Sequence, residues 1–428
     1  MPKLTDFCVK FDREGSTFQP GETVTGKVIV TLTKPKNIKE IRLEARGEAE
    51  VHWTKSRNVK DSSGRSHHHT DHYRGTEHYF NVSNRLLGTP AGSNHATIPA
   101  GTHIFPFTFQ LPNNIPCSIE HVYGHVRYTV KAVLDRPWRF DHKVVQAFTV
   151  IAPFDLNAQP HLTTGIDDEI RRKFLSCCCF SSGGMTIDVK SRVSGFVPGE
   201  TIDLIVSYDN TSNRVDLKKI SVKLQKSVEF FASTPFADKK ICTTTIKKIK
   251  DSGAFEKQGV RTLKIEVPPL PPSRLEHCHI IHVAYNLVFE TKVTGMHFGA
   301  SKCYPIEIGT IPLYQQSSDS CLNATLNTTN ISSITPALPS APPIDQISAS
   351  SQPMPQTSTP IGFVIMSVPP YLAGAAQAMP EMPPPSYEEC ISGGNLISNP
   401  NEQGMHGQSI PFAPKYPVYK FPMPSSNE

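Results

Sequence analysis

A repeated segment constrains this chain more than any other feature of its sequence. The stretch Phe18-Gln-Pro-Gly-Glu-Thr-Val-Thr-Gly-Lys-Val-Ile-Val30 returns in similar form as Phe196-Val-Pro-Gly-Glu-Thr-Ile-Asp-Leu-Ile-Val-Ser-Tyr208. Each copy has a Pro-Gly pair, in which proline sets φ and glycine accepts a positive φ, and then a segment that alternates with period two. One fold is therefore expected to occur twice.

The repeat extends beyond this turn. Residues 41–45 match residues 220–224, and residues 126–132 match residues 283–289, each as an alternation of apolar and polar side chains. The spacing between these matches makes the first copy longer by about twenty residues. The surplus contains the polar run 56–72, which lacks periodicity and is predicted to be a loop between strands.

The alternation predicts an all-β protein. Short strands with one apolar face bury that face best as two antiparallel sheets packed against each other, so each copy should be a sandwich. In residues 100–112 the inward-facing side chains should be Phe105, Phe107, Phe109 and Leu111. Pro106 interrupts this strand and should lie at a sheet edge or bulge, because proline cannot donate to a β-ladder.

The copies are joined by a connector at residues 154–182. Within it, Asp167-Asp-Glu-Ile-Arg-Arg-Lys-Phe-Leu175 begins acidic and ends basic, as the helix dipole favours, and is predicted to be a short helix. Cys177, Cys178 and Cys179 follow directly. They are candidates for lipidation or, as the simpler interpretation, small apolar residues that pack at the start of the second domain. A metal site is less favoured, because no second ligand cluster lies near them in sequence.

Length and composition favour two domains and a tail. The chain has 428 residues, enough for the boundaries 1–153, 154–182, 183–314 and 315–428. Its first residues do not resemble a signal peptide, and no apolar stretch reaches the roughly 20 residues of a membrane-spanning helix. The 10 cysteines are scattered apart from the triplet, so we expect reduced thiols and a cytoplasmic location.

Positive charge is concentrated in the body of the chain. The net charge is +5, but acidic residues outnumber basic ones after residue 315. A lysine-rich run in the second copy is either a solvated strand face or a surface for anionic lipid or for acidic or phosphorylated cytosolic tails. Nucleic acid is disfavoured, because aromatic residues are not interleaved with these lysines. The candidate residues are Lys218, Lys219, Lys223, Lys239, Lys240, Lys247, Lys248 and Lys250.

The segment 315–428 holds half of the 38 prolines and many Ser, Thr, Asn and Gln residues, and is predicted to be disordered. It contains Pro383-Pro-Pro-Ser-Tyr-Glu-Glu-Cys390. Polyproline II has three residues per turn, so Pro384 and Tyr387 lie on one side of the chain, where an aromatic-lined groove of a WW domain can bind them. The predicted WW-binding residues are Pro384, Pro385 and Tyr387; the alternative is a chance match in a proline-rich tail.

Two further tail motifs are weaker. Val368-Pro-Pro-Tyr371 lacks the spacer residue, and Ala413-Pro-Lys-Tyr416 lacks the first proline. The secondary candidates are therefore Pro369, Pro370, Tyr371, Pro414 and Tyr416.

Nothing in the sequence favours catalysis. His67, His68, His69 and His72, with His78 nearby, are metal-ligand types, but in a loop they are more often solvated than metal-bound. Nucleophile elbows, phosphate-binding glycine loops, zinc-protease histidine pairs and dinucleotide fingerprints are absent from the sequence. We therefore expect no enzyme activity and no cofactor.

Taken jointly, these motifs resemble the arrestin domain-containing proteins, or alpha-arrestins. The resemblance rests on the two Pro-Gly-Glu copies, on residues 100–112 and 124–131, and on the Pro-Pro-Ser-Tyr motif, and it covers residues 4–313 plus that motif. It implies two consecutive arrestin-like β-sandwich domains followed by the disordered tail. Family members often carry two good Pro-Pro-x-Tyr motifs and this chain has one, which makes bivalent binding of tandem WW domains doubtful.

The resemblance also implies an adaptor function. The arrestin-like domains would contact cytosolic tails of membrane receptors or transporters, while Pro384, Pro385 and Tyr387 would recruit HECT-type E3 ubiquitin ligases with WW domains. Cargo would then be ubiquitinated, endocytosed and sorted in endosomes, with the protein recruited from the cytoplasm to plasma membrane and endosomes. Two alternatives are a coat or retrieval-complex subunit that needs no tyrosine motif, and a module that binds a soluble ligand in a deep apolar cavity.

Overall fold

The first third of the chain is a β-sandwich. The computed structural model describes residues 4–60, 62, 65–88, 96–175, 181–314, 380–381 and 412–421. The strands of the first sandwich are β1 (Leu4–Phe11), β2 (Thr17–Phe18), β3 (Thr23–Leu32), β4 (Lys36–Ile38), β5 (Glu40–Lys60), β6 (Ser66–Gly88), β7 (Ala96–Ile98), β8 (Gly101–Gln110), β9 (Ile119–His121), β10 (Gly124–Asp135) and β11 (His142–Val150). One sheet has the order β1-β3-β8 and the other β2-β11-β10-β5-β6, with β9 beside β10 and a small β4-β7 pair.

A second sandwich follows with the same plan. Its strands are β12 (Ile166–Leu175), β13 (Ser181–Ser191), β14 (Gly195–Phe196), β15 (Thr201–Asn210), β16 (Leu217–Ala232), β17 (Asp238–Asp251), β18 (Gln258–Glu266), β19 (Ile281–Val293) and β20 (Ser301–Ile308). Its sheets have the orders β12-β13-β15-β18 and β14-β20-β19-β16-β17. Strands β13, β15 and β18 take the places of β1, β3 and β8, so the predicted duplication of an all-β fold is confirmed.

Alternating burial explains why the repeated segment forms a strand. In β3, Val28, Val30 and Leu32 are buried, while the residues between them are more exposed. Side chains of a strand point alternately to its two faces, so these residues enter the sandwich core together. The turn before the strand also follows the prediction, because Gly21 and Gly199 both have positive φ, +78° and +90°.

The position of Pro106 is confirmed. Among the described strands, β8 lies at the edge of its sheet and pairs only with β3, with Pro106 opposite Lys27. Phe107, Phe109 and Leu111 are buried as predicted, and Phe105 is partly buried. The residue that cannot donate a backbone hydrogen bond therefore lies in an edge strand, where it disturbs the ladder least.

The predicted connector helix is wrong. Residues 166–175 form strand β12, which pairs antiparallel with β13 at the edge of the second sandwich. Ile166, Ile170 and Phe174 are buried, and their spacing of four suits one face of a helix as well as one face of a strand. The available sheet edge decides between them. The helical structure in the connector is limited to 3₁₀ turns at Leu156–Ala158 and Pro160–Thr163 within the described residues.

The predicted loop extension is also wrong. Residues 56–60 and 66–72 continue strands β5 and β6, which have 21 and 23 residues, against 16 and 14 in the equivalent β16 and β17. The outer part of this hairpin is exposed on both faces, so its sequence carries no alternation of polar and apolar residues. The backbone ladder continues nonetheless, up to Lys60 opposite Ser66.

The long hairpin connects the two sandwiches. Trp53 Nε1 donates to Asp238 Oδ2 at 3.3 Å, and Lys55 Nζ lies 2.5 Å from the same carboxylate. The backbone amide of Arg74 donates to the Thr234 carbonyl at 2.8 Å. The hairpin of the first domain is therefore bonded to the β16–β17 region of the second, and the two domains share one continuous buried core.

Two short strands of the tail also have described positions. Pro380–Glu381 (β21) pairs antiparallel with Val418–Tyr419 (β22). No helix in the described part of the chain is both long and apolar enough to cross a bilayer.

Candidate functional site

Lysines gather at the outer end of the second sandwich. Pairing of β16 with β17 and β19 places Lys219 beside Lys292, and Lys250 beside Ser221. Loss of hydration is the largest cause that lowers the pKa of the Lys219 ammonium, and repulsion from Lys250, Lys248 and Lys292 adds to it, while the nearby Glu290 carboxylate opposes the shift. Four like charges in one place form a site that favours an anion. We call Lys219, Lys248, Lys250 and Lys292 the lysine cluster.

The remaining predicted lysines differ in their surroundings. Lys223, Lys239 and Lys247 form ion pairs with Glu290, Glu229 and Glu266 at 2.6, 2.7 and 3.4 Å. Lys240 Nζ lies 4.1 Å from the ring centroid of Tyr123, in the first sandwich. Lys218 is exposed at an irregularity in the β16 register. The structure therefore brings together three of the predicted lysines and adds Lys292, which only strand pairing could reveal.

Exposed apolar side chains lie close to the lysine cluster in sequence. The turn after β19 exposes 95 % of Met296 and 91 % of Phe298. Lys292 lies near the end of β19 and immediately before this turn. Cations next to exposed apolar side chains are typical of surfaces that contact a membrane interface.

The tail segment 412–421 packs against both sandwiches, and we call it the strap. Tyr416 is 4 % exposed, and its hydroxyl donates to the Ser118 carbonyl at 3.0 Å. The amide of Lys415 donates to Thr149 Oγ1 at 3.3 Å, also in the first sandwich. The Tyr419 hydroxyl donates to the Thr310 carbonyl at 2.5 Å, just after the last strand of the second sandwich. The strap is therefore held at both domains.

The strap corrects two expectations about the tail. Residues 412–421 are ordered against the body rather than disordered, because Tyr416 and its neighbours supply a short apolar segment that the composition of the long tail conceals. Tyr416 is not available to a WW domain in this arrangement, because its ring lies in the core and its hydroxyl already has an acceptor. Pro414 is buried with it.

Other predicted site residues lie outside the described residues. These are the main motif at Pro384, Pro385 and Tyr387, the weaker motif at Pro369, Pro370 and Tyr371, and the triplet Cys177, Cys178 and Cys179. In sequence, the main motif begins shortly after Glu381, which pairs with Val418 of the strap.

The histidine-rich segment lies on the outer hairpin. His52 and His72 stack with ring centroids 5.7 Å apart, and His69 Nε2 lies 3.0 Å from Asp71 Oδ1. In the described part of the chain, no three His, Cys, Asp or Glu side chains are placed to hold one metal ion. The cluster is therefore part of an exposed strand pair.

A groove of about 660 Å³ lies on the outside of the second sandwich, beside β12 and β20. Its lining is mixed: Leu162 and Ile166 contribute apolar surface, and Asp168 contributes a carboxylate that accepts from the Tyr304 hydroxyl at 2.9 Å. A module that binds a soluble ligand would have a deep apolar cavity, and this groove is open and of mixed polarity.

Comparison with known proteins identifies the fold family. The model of the arrestin (or S-antigen) N-terminal domain matches residues 7–157, and the model of the arrestin C-terminal domain matches residues 181–313. Arrestin domain-containing protein 17 of Caenorhabditis elegans is 29% identical over 98% of this chain and 100% of its own length. The chain is an alpha-arrestin.

Other relatives agree with this assignment. Arrestin domain-containing protein 4 of Mus musculus is 28% identical over 88% of this alpha-arrestin and 90% of its own length. Arrestin domain-containing protein 1 of the same species is 26% identical over 82% of the chain and 74% of its own length. The family consists of adaptor-type proteins that bind membrane proteins, and this alpha-arrestin has the adaptor architecture.

Proposed function

We propose that this alpha-arrestin links membrane cargo to HECT-type E3 ubiquitin ligases through Pro384, Pro385 and Tyr387. The observation that carries the proposal is one chain that combines a double arrestin body with a Pro-Pro-x-Tyr motif in its tail. Polyproline II presents proline and tyrosine on the same side, and an already extended ligand loses little entropy when a WW domain binds it.

The body supplies the cargo-binding half of this function. The lysine cluster attracts the acidic or phosphorylated cytosolic tails of receptors and transporters, and an anionic membrane attracts the same charges. Exposed Met296 and Phe298 beside the cluster add apolar contact with the bilayer. Recruitment to plasma membrane and endosomes follows from these contacts, and a ligase held on the tail can then ubiquitinate nearby cargo and direct its endocytosis and sorting.

Ligase recruitment is tested by the tyrosine of the main motif. We expect Tyr387→Ala to remove most WW-domain ligase from a pull-down, because the aromatic ring fills the specificity pocket of the groove. Tyr371→Ala, in the motif without a spacer, serves as the matched control and should retain the ligase. Thermal unfolding of both variants should equal that of the parent. Undiminished ligase capture by Tyr387→Ala would reject the proposal.

A retrieval-complex subunit remains the second candidate function, because the paired sandwiches alone would serve it. Such a subunit would copurify in stoichiometric amounts with partner subunits, and that complex would survive Tyr387→Ala. Proximity labelling with parent and Tyr387→Ala protein separates the two functions: partners lost in the variant are ligases, and partners retained include cargo.

A further inference from the structure

Two aromatic side chains project from the outer tip of the first sandwich. The turn between β10 and β11 exposes 98 % of Trp138 and 69 % of Phe140. The other tryptophan of the chain, Trp53, is only 2 % exposed. Tryptophan is among the most apolar side chains and is highly buried on average, so a fully exposed tryptophan beside an exposed phenylalanine indicates a contact surface.

The backbone of this turn holds Trp138 at an unfavourable φ. Trp138 has φ +58°, a conformation that favours glycine because a Cβ crowds the backbone there. The equivalent turn of the second sandwich places Gly295 at φ +73°. The first sandwich therefore keeps a bulky aromatic residue at a position where its own duplicate has glycine. Backbone strain of this kind is found most often at functional sites.

The turn is a defined structure. Arg136 Nε donates to the Phe140 carbonyl at 2.7 Å, and Arg136 Nη2 donates to the same oxygen. The guanidinium thus closes the turn across its base. Trp138 and Phe140 flank Arg139 in the sequence. Because the backbone of the turn is fixed, less entropy is lost when the two rings are buried against another surface.

Positive charge surrounds the two rings. Arg136 and Arg139 lie in the turn, and Lys36 lies beneath it with its Nζ 2.8 Å from His142 Nε2. Burial is the largest cause that lowers the pKa of Lys36 to about 8, and repulsion from Arg136 and Arg139 adds to it. Asp141 is the acidic residue of the turn, and its attraction opposes the effect of Arg139 on the pKa of Arg136. The balance at the tip is positive.

The tip lies far from the contact between the two sandwiches. Strand β10 begins at Gly124, which lies next to Phe230 of the second sandwich. A Cβ atom at this position would be 3.1 Å from the Phe230 ring. It then runs for 12 residues, about 40 Å at the rise of a β-strand, to the turn at Trp138. Strand β19 likewise begins beside Phe230, since Ile281 pairs with it, and leads to the turn of Met296 and Phe298. Both repeats therefore carry exposed apolar residues at their outer ends.

We propose that the β10–β11 turn is a membrane-binding site that places Trp138 and Phe140 in the interface of an anionic bilayer, with the exposed Arg139 against lipid phosphates. Tryptophan prefers the bilayer interface, and basic residues beside it gain attraction from anionic headgroups. This charge complementarity favours a bilayer over an uncharged apolar groove of a protein. The site is separate from the lysine cluster and does not depend on ligase recruitment.

The two tryptophans make a direct test available with the full-length protein. Vesicles of phosphatidylcholine and phosphatidylserine should shift the emission of Trp138 to shorter wavelength, and lipids brominated near the headgroup should quench it, while buried Trp53 contributes a constant background. Vesicles of phosphatidylcholine alone should bind much more weakly. Raising the salt concentration should weaken binding to the anionic vesicles, because the Arg contribution is screened.

Variants separate the aromatic and charged contributions. Trp138→Gly combined with Phe140→Ser should lower vesicle partitioning roughly tenfold, since both apolar contacts are lost. Arg139→Gln should lower it about fivefold, the equivalent of one basic residue at an anionic surface. Ile104→Ser, which removes a side chain that is 58 % exposed on the β8 sheet edge, is the matched control and should bind like the parent. All these variants change exposed side chains, so none should lose stability, and Trp138→Gly should gain a little because glycine accepts the positive φ at this position.

Three outcomes would overturn the proposal. The first is vesicle binding by the parent with unshifted and unquenched Trp138, which would place the contact elsewhere, for example at Met296 and Phe298 alone. The second is equal partitioning of the parent and the Trp138→Gly, Phe140→Ser variant, or no binding of the parent to anionic vesicles. The third is a concentration-dependent emission shift without vesicles, which would show that the tip binds another copy of the protein.

Discussion

In both sandwiches a tyrosine of a central strand donates its hydroxyl proton to a buried proline carbonyl. Tyr128 bonds to Pro116 at 2.7 Å, and Tyr285 bonds to Pro271 at 2.8 Å. Both tyrosines are almost fully buried. Each bond fixes the segment before a central strand onto the core, and its retention in both copies indicates that these buried polar contacts belong to the basic plan of the fold.

A second shared bond lies next to the first. Ser118 Oγ accepts the amide of Val150, and Ser273 Oγ accepts the amide of Ile308, both at 2.9 Å. These bonds hold the last strand of each sandwich against the same proline-containing segment. Two copies that differ in most surface residues therefore share their buried hydrogen bonds, because an unsatisfied buried donor or acceptor is costly.

The copies differ in the surroundings of the glutamate in the Pro-Gly-Glu turn. Glu22 accepts the amide of Gln19 at 2.7 Å and pairs with Arg13 at 2.7 Å, so its charge is matched. Glu200 accepts the equivalent amide of Val197 at 3.1 Å, but burial raises the pKa of its carboxyl to about 7. The same Pro-Gly-Glu turn thus has two electrostatic states, and the duplicated sequence allows one to serve as the control for the other.

The strap provides the largest expected effect, because it joins equivalent ends of the two copies. Tyr416→Ala removes a buried ring and should weaken the strap by on the order of 3 kcal/mol. Hydrogen exchange of residues 412–421 should then accelerate about a hundredfold, since local opening controls exchange in such a segment. Phe421→Ala, at the more exposed end of the strap, should change exchange far less. Slow exchange of the strap in Tyr416→Ala would contradict this placement.

The shared tyrosine bonds should give the next effect. Tyr128→Phe and Tyr285→Phe each leave a buried proline carbonyl without its donor, which should lower the free energy of unfolding by about 2 kcal/mol. Urea unfolding measures both. Because the environments are equivalent, the two losses should agree within roughly 1 kcal/mol, and a loss in one variant alone would show that the two copies do not share this contribution.

The repeat and its strands were predictable because one face of each strand is buried. Val28, Val30 and Leu32 alternate with polar residues, and period two appears in the sequence whenever burial alternates. The positive φ of Gly21 and Gly199 followed from the Pro-Gly pair. These features depend on neighbouring residues, which the sequence contains in full.

Elements that depend on distant partners were not predictable. The acidic-to-basic order of charges predicts a helix at residues 167–175, and the spacing of the buried residues fits both periods, so only the free edge of β13 selects strand β12. The outer hairpin has no buried face and so carries no periodicity. Lys292 belongs to the lysine cluster because β19 pairs with β16, which places residues that are distant in sequence side by side.

The exposed sites show the same limit. An aromatic side chain in a turn gives no sign in the sequence of its exposure, so the sequence does not single out Trp138. The composition of the tail predicts disorder at Tyr416, because its partner Ser118 lies far away in the sequence. The tail motif at Tyr387 stays a prediction, since it lies outside the described residues.

The smallest expected effect comes from the two glutamates, and its sign should differ between the copies. Because the folded pKa of Glu200 is raised, the folded state holds a proton more tightly than the unfolded state. The free energy of unfolding should therefore fall as pH rises from about 4.5 to 7 and level off above that range. Glu200→Gln removes this dependence and should stabilise the protein at pH 8 by on the order of 1 kcal/mol.

The matched change in the first copy should act in the opposite direction. Glu22→Gln breaks a partly exposed ion pair with Arg13, so at pH 8 it should destabilise the protein by about 0.5 kcal/mol. Urea unfolding of both variants at pH 5 and pH 8 measures the difference. If Glu200→Gln destabilised the protein at pH 8 as Glu22→Gln does, the Glu200 carboxylate would be stabilised in the folded state. A partly buried carboxyl with a raised pKa should gain stability when it loses its charge at that pH. A loss of stability instead would show that the two turns are electrostatically alike.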